Sequence, residues 1–241
     1  MRDYQKETED RAAFIRRKLA EAHASGVVFG NSGGKDSALV GILCKKACEK
    51  VISVAMPCAS SRNYGEDLRD AAALAEQYGF ELRTVDLTAA RAALMEAVGR
   101  ELTPAAVANL APRLRMTTLY GIAQTEGCLV AGTGNRSERY MGYFTKWGDG
   151  AYDFNPIADL TVAEVYECLR FLGAPPHIIE KTPSAGLYEG QTDEAEMGVA
   201  YADIDGYLGG LPVDEHARAV IERAHHVTEH KRHLPEEYQP D

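Results

Sequence analysis

The chain has 241 residues, 45% of them hydrophobic, and a formal net charge of −10. That length and composition describe a globular protein able to bury a sizeable core. An acidic surface repels phosphates, which excludes a general nucleic-acid binder but leaves room for a local basic pocket.

The N-terminal "MRDYQKETEDRAAFIRRKLAEA" is charged throughout and has no apolar stretch of a secretory signal. Residues 5–23 have helical spacing, with Ala12, Phe14, Ile15 and Leu19 toward one side. "GVVFG" reads as a short buried strand, and "DSALVGILCKKACEK" as an amphipathic helix. "VISVAMPC" reads as a second strand, followed by the polar loop "SSRNYGED". "DLRDAAALAEQYG" is a helix stopped at Gly79, and "FELRTVDL" a third strand, with Thr88 placed to cap the next helix. "AAVANLAPRLRMTTLYGIAQTEG" is helical, with a break or helix start expected at Pro112, and "CLVAGTG" is a fourth strand. No run reaches the length of a membrane span. The five cysteines are odd in number, with no C-x-x-C pair, which points to reduced thiols in the cytoplasm. Cys44 and Cys48 have i,i+4 spacing that a metal can use, but buried apolar roles suit them better.

This alternation predicts an α/β fold: a doubly wound parallel sheet with helices on both faces and a helical C-terminal portion, all in one domain spanning 1–241. Ligands of such sheets bind at the carboxyl ends of the strands. Three strands end there in suggestive loops, "GNSGGKDS", "MPCASSRNYGED" and "GTGNRSE".

The first loop is not a Walker loop. Aligning the G-K of that pattern on Gly34–Lys35 puts Phe29 where its first glycine belongs and Asp36 where its Ser or Thr belongs. It fits S-G-G-x-D-S instead: a strand end, a tight glycine turn and a helix start whose free N–H groups attract anions. Ser32 and Ser37 offer hydroxyl donors, and Asp36 beside a phosphate makes sense with Mg²⁺ between them. The plain alternative is a glycine-rich turn with an aspartate in the first helical turn.

"SGGKDS" resembles the signature of the PP-loop ATP pyrophosphatases, a family that includes GMP synthetase, asparagine synthetase, tRNA-modifying enzymes and NAD synthetase. "GTGNRSERYMGYFTKWGDGAYDFNPIADL" (132–160) and "EKTPSAGLYEGQTDE" (180–194) resemble ammonia-dependent NAD⁺ synthetases, and the likeness runs from about Ser25 to Lys231. The resemblance implies a ligase that amidates deamido-NAD⁺. The pyridine carboxylate attacks the α-phosphorus of ATP, pyrophosphate leaves on the S-G-G-x-D-S loop, and ammonia attacks the mixed anhydride with AMP to give NAD⁺.

It also implies roles. Gly30, Asn31, Ser32, Gly33, Gly34, Lys35, Asp36 and Ser37 hold the ATP phosphates, with Thr133 and Ser184 as further ATP contacts. Asp36 and Glu138 hold Mg²⁺, and Arg113, Lys146, Asp153, His230 and Lys231 hold the dinucleotide. Asp36, Glu138 and Lys146 carry the catalytic charge, and Asp149 is a candidate to deprotonate ammonium. Without the resemblance, Glu138 reads as a solvated helix-start acid, Lys146 as a surface lysine, Arg113 as half of a surface pair and Asp153 as an Asx-turn.

The partners implied are small molecules and a second copy of the chain, with no nucleic acid and no membrane. Glutamine-dependent relatives carry an extra amidohydrolase domain for which this chain is too short, so ammonia is expected free or from a separate glutaminase subunit. Two positions depart from the family pattern. Val162 stands where a lysine usually reaches ATP, with Arg62 and Lys181 as candidate substitutes, and Asn31 replaces an apolar residue. The glycine-bearing "LYEGQTDEAEMG" suggests a mobile lid. Two rivals are a tRNA thiolase, which calls for a C-x-x-C pair or a basic surface not seen here, and a nucleotide-binding regulator without turnover.

Overall fold

The computed structural model describes residues 2–58, 60–181 and 192–238. Helix α1 (Tyr4–Glu21) starts where the Asp3 carboxylate accepts from the Lys6 N–H. Strand β1 (Gly26–Gly30) leads into α2 (Lys35–Ala47), and β2 (Val51–Ala55) into the short α3 (Ser61–Tyr64) and α4 (Glu66–Tyr78). Gly79 ends α4 at φ 70°, a left-handed conformation that glycine adopts without Cβ strain. Then come β3 (Glu81–Thr84), α5 (Thr88–Val98), α6 (Pro104–Glu126) and β4 (Cys128–Ala131). Beyond the sheet lie α7 (Arg136–Met141), α8 (Val162–Phe171), α9 (Pro176–Glu180), α10 (Asp193–Met197), α11 (Tyr201–Leu208) and α12 (Glu215–Val227), then a 3₁₀ turn at Glu229–Lys231.

The four strands are parallel, in the order β3-β2-β1-β4, with Val28 of β1 opposite Ile52 on one side and Val130 on the other. Strand alternation sorts the core onto two faces. Val27 and Phe29 pack on one face with Leu39 and Leu43 of α2, while Val28, Ile52 and Val54 pack on the other with Ala111 and Ala123 of α6. A third cluster, built on Met141, Val162, Tyr201, Ile204 and Ile221, joins the C-terminal helices. The chain runs outward from β1 to β2 and later returns to β4 on β1's other side. The topological switch therefore lies between the carboxyl ends of β1 and β4, where ligands of such sheets bind.

Two sequence expectations are corrected. Pro112 neither breaks nor starts a helix: α6 runs unbroken from its Thr103 cap to Gly127. A proline removes only one helical hydrogen bond, and the Pro112 ring is buried and packed where a side chain on Gly148 would stand. Thr88 does not cap α5 but is its first residue. Asp86 accepts from the Thr88 N–H at 2.9 Å, and the Thr88 hydroxyl pairs with the Tyr64 hydroxyl, so Thr88 is anchored toward α3 rather than over the first turn of α5.

Arg11 fastens α1 to the loop before α8. Its guanidinium donates to the Pro156 carbonyl at 2.6 Å, to both Asp159 oxygens at 2.6 and 2.8 Å and to Glu7 at 2.7 Å. Burial opposes ionisation of Asp159, but Arg11 holds its carboxyl below the usual carboxylate range. A depressed carboxylate stabilises the fold above its unfolded pKa and loses that contribution as pH falls through its folded value. Arg11→Met is expected to lower unfolding free energy at pH 7 by about 1–2 kcal/mol, a modest figure because solvent screens an exposed carboxylate. In urea titrations over pH, the gap from wild type should narrow below about pH 4.

Candidate active site

A cavity of about 680 Å³ opens at the topological switch, lined by Gly30–Ser32 and Gly34–Ser37 from one side and Ala131–Gly134 and Glu138 from the other. The loop after β1 is held from beneath. Asn31 is buried; its side-chain N–H donates to the Ala71 carbonyl at 3.2 Å, and its oxygen accepts from Gly33 N–H at 3.1 Å. The residue that departs from the family pattern thus shapes the turn from within the protein. Gly33 takes φ +67°, and the Ser32 and Ser37 hydroxyls lie 3.2 Å apart across the start of α2.

Asp36 and Glu138 come together through Asn135. The Asn135 side-chain N–H donates to Asp36 Oδ1 at 3.1 Å, and its backbone N–H to Glu138 Oε2 at 3.0 Å. That second bond belongs to a capping box at the start of α7, with the Asn135 side chain accepting from Glu138 N–H. The N-x-x-E spacing of "NRSE" was a legible signal for it. Asp36 Oδ2 faces the Lys35 ammonium at 2.8 Å. Burial pushes the Glu138 carboxyl well above the usual range, and the neighbouring Asp36 charge adds to the effect. Burial works against the Lys35 charge, but Asp36 and Glu138 hold its pKa above the ordinary lysine value.

The donor set fits Mg²⁺. Two carboxylates aimed into one cavity suit an ion that takes its remaining ligands from phosphate and water. Among the described residues no cluster of three or more His, Cys, Asp and Glu side chains forms an all-protein cage.

Thr133 lines the cavity, whereas Ser184 and residues 187–191 of the expected lid lie outside the described residues; the rest of that stretch forms α10. Lys146 lines the cavity, and Arg113 and His230 adjoin it without lining the cavity themselves: Arg113 donates to the Lys146 carbonyl at 3.4 Å, and the Lys146 ammonium to the His230 carbonyl at 2.5 Å. The Lys231 ammonium donates to the carbonyls of Gly142 at 2.8 Å and Phe144 at 2.9 Å. Asp153 is apart from these, accepting from Val130 N–H at 2.7 Å and Tyr120 O–H at 3.2 Å at the edge of β4. Asp149 lines the cavity and accepts from Thr145 N–H at 2.9 Å. Its side chain is accessible from the cavity, yet the protein packed around it desolvates the carboxyl and pushes it above the usual range.

Arg115 was not singled out from sequence. It lines the cavity, donating to the Met56 carbonyl and the Asn63 side chain, both at 3.1 Å. Its helix spacing from Arg113 carried no signal, since only the packing of α6 on the β2 loop turns it inward.

A model of the NAD synthase family matches residues 7–235.

The chain belongs to the NAD synthase family.

The match extends beyond both ends of the stretch read from sequence motifs. The ammonia-dependent NAD(+) synthetase of Carboxydothermus hydrogenoformans is 46% identical over 241 residues, 97% of each chain. An NMN synthetase structure from Francisella tularensis superposes with a TM-score of 0.95 at 35% identity, covering 100% of both chains. An ammonia-dependent NAD synthetase structure from Campylobacter jejuni gives 0.83 at 31% identity, covering 99% of this chain and 100% of that one.

Within the NAD synthase fold, Val162 is buried beside Tyr201. Of the two basic residues suggested in place of the usual lysine, Arg62 has a side chain outside the described set. Lys181 is tied down, donating to Asp67 at 2.9 Å, Asp70 at 2.6 Å and the Gly33 carbonyl at 3.4 Å. A different ammonium occupies this neighbourhood: Lys35 Nζ lies 5.5 Å from the centre of the Tyr201 ring. Lys181 instead buttresses the phosphate loop, with its side chain 7% exposed and both carboxylates 14% exposed. Lys181→Met leaves those acids without this cation and is expected to cost about 3 kcal/mol in urea unfolding. An unchanged midpoint would refute the buttress.

Proposed function

We propose that this chain makes NAD⁺ by amidating deamido-NAD⁺ with ammonia, converting ATP to AMP and pyrophosphate: a carbon–nitrogen ligase of NAD biosynthesis. The carrying observation is the pairing of Asp36 and Glu138 through Asn135 at the mouth of an S-G-G-x-D-S loop, within a chain of this family.

The loop N–H groups and the Ser32 and Ser37 hydroxyls receive the ATP phosphates, and Thr133 joins them from the end of β4. Ser184 is assigned to ATP by resemblance alone. Asp36 and Glu138 are the residues that would hold Mg²⁺, which when bound would supply positive charge to the leaving pyrophosphate. The substrate carboxylate is already ionised at neutral pH, so the first step needs positioning and charge rather than a general base. Lys146 and Lys231 in the cavity lining, Arg113 and His230 bonded to Lys146, and Asp153 at the edge of β4 are assigned to the dinucleotide. The second step needs neutral ammonia, and Asp149, whose carboxylate lines the cavity, is assigned to receive ammonium there and take its proton.

Five free cysteines accord with a reducing cytoplasm, and among the described residues no helix is long and apolar enough to cross a membrane. We read the assembly as a homodimer, for which α5, with no buried residue and with Leu94 and Val98 exposed, offers an uncovered face.

A second reading concerns the acid substrate. The NMN synthetase of Francisella tularensis matches this chain over the full length of both. Lys146, Lys231 and Asp153 are also engaged by partners within the chain. Nicotinate mononucleotide would undergo the same adenylation and amidation. The test supplies purified protein with ATP, Mg²⁺ and ammonium chloride, and compares kcat/KM for the two acids. Higher kcat/KM for deamido-NAD⁺ supports the first reading, and a mononucleotide preference replaces it with the second. Pyrophosphate release without amide product, restored by glutamine plus a glutaminase, would place the ammonia source on a separate subunit.

A further inference from the structure

The Lys35–Asp36 pair has a consequence for the order in which the site loads. Lys35 is 5% exposed, and its ammonium sits on Asp36 Oδ2, the oxygen that Asn135 does not engage. The Tyr201 ring backs the ammonium at 5.5 Å. The Asp36 oxygen that Asn135 leaves for another partner is therefore held by a built-in cation.

We infer that Lys35 is the resident counter-ion of the Asp36–Glu138 pair, and that it makes divalent-metal binding conditional on nucleotide. This rests on the ATP-and-metal reading above. A metal ion arriving alone puts two positive charges beside a buried ammonium, and the pair of carboxylates has already spent one negative charge on that lysine. Like charges at such separations in a partly dry site repel strongly. ATP phosphates bring the missing negative charge. They also give the lysine a new partner, so the ammonium can leave Asp36 for a phosphate oxygen as the metal takes its place. Metal and nucleotide then bind with positive coupling, and each raises the affinity for the other by the same factor.

The experiment measures free Mn²⁺ by electron paramagnetic resonance while protein is titrated, with and without an ATP analogue bridged by methylene between the α and β phosphorus atoms, each affinity corrected for the Mn²⁺ that the analogue chelates in protein-free solution. Wild type should bind Mn²⁺ at least about tenfold tighter with the analogue present. Lys35→Met removes the resident charge and keeps an unbranched side chain against Tyr201. It should bind Mn²⁺ alone at least about tenfold tighter than wild type, so the gain from nucleotide shrinks. Lys35→Arg should behave as wild type.

Wild type that binds Mn²⁺ equally well with and without the analogue overturns the inference, whatever the variants do. Lys35→Met that folds, as its circular dichroism reports, and gains no affinity for Mn²⁺ alone overturns it too, while leaving the metal reading intact. No Mn²⁺ binding by wild type even with the analogue overturns both.

Discussion

Asp36→Asn is expected to reduce amide formation by at least about a hundredfold, the loss typical of removing one preorganised charge contact at a reacting centre. The side chain meets two donors, Asn135 Nδ2 on Oδ1 and Lys35 Nζ on Oδ2. An asparagine oxygen satisfies one of them, and its own N–H₂ then faces the other donor. The buried Lys35 ammonium loses its nearest counter-charge, and of the two carboxylates joined through Asn135 only Glu138 remains. Unfolding free energy should fall by about 1–3 kcal/mol, the cost of leaving a buried polar group badly paired. The variant should still fold, so the rate loss reads chemistry. Coupled NAD⁺ formation, pyrophosphate release and a urea titration on the same preparation check this. Loss of amide with pyrophosphate release intact would move Asp36 out of the adenylation step.

Gly33→Ala is expected to disable the phosphate loop by a different route. Gly33 sits at φ +67°, where an L side chain costs roughly 1–2 kcal/mol. Its added methyl would also stand 2.5 Å from the Asp67 carbonyl oxygen and 2.8 Å from Asp70 Cβ. One of these is backbone of α4, which cannot turn aside as a flexible side chain can. Either the loop lifts off α4 or α4 shifts, and the Lys181 contacts to Asp67, Asp70 and Gly33 go with it. The expected result is a loss of about 2–4 kcal/mol in urea unfolding, with strain and overpacking adding. A large rise in KM for ATP should accompany it. Gly34→Ala is the contrast. A methyl there meets only the Ser32 hydroxyl, at 3.3 Å, with no positive φ. Its unfolding midpoint should stay close to wild type. Equal destabilisation by the two would show that the clash with α4 is not the cause.

The parallel sheet was legible because its signals are local. Each buried strand is a short apolar run, each helix has its own periodicity, and Gly79 marks a stop by its freedom at positive φ. The glycine turn between β1 and α2 was legible for the same reason, since strand end, glycines and helix start are contiguous. Local rules failed where packing overrode them. Pro112 breaks helices by rule, but a buried position against the Gly148 loop holds it inside α6. Thr88 is a good cap by type, but it is the first helical residue and its hydroxyl is engaged by Tyr64.

The site itself divides along the same line. Residue type and spacing alone determined that Asp36 stands in the first helical turn after a glycine turn and that Glu138 opens a helix after the fourth strand. Only the tertiary structure decided that one asparagine joins them, across 99 positions of chain. Only it decided that Lys181 supports the loop, from 111 positions beyond Asp70, or that Lys35 turns inward against Tyr201. A cap or a turn depends on neighbours a few residues away, and sequence records those directly. An ion pair between distant segments depends on where the switch between β1 and β4 brings their loops together, and on how much water the surrounding helices exclude. Those quantities exist only once the chain has packed.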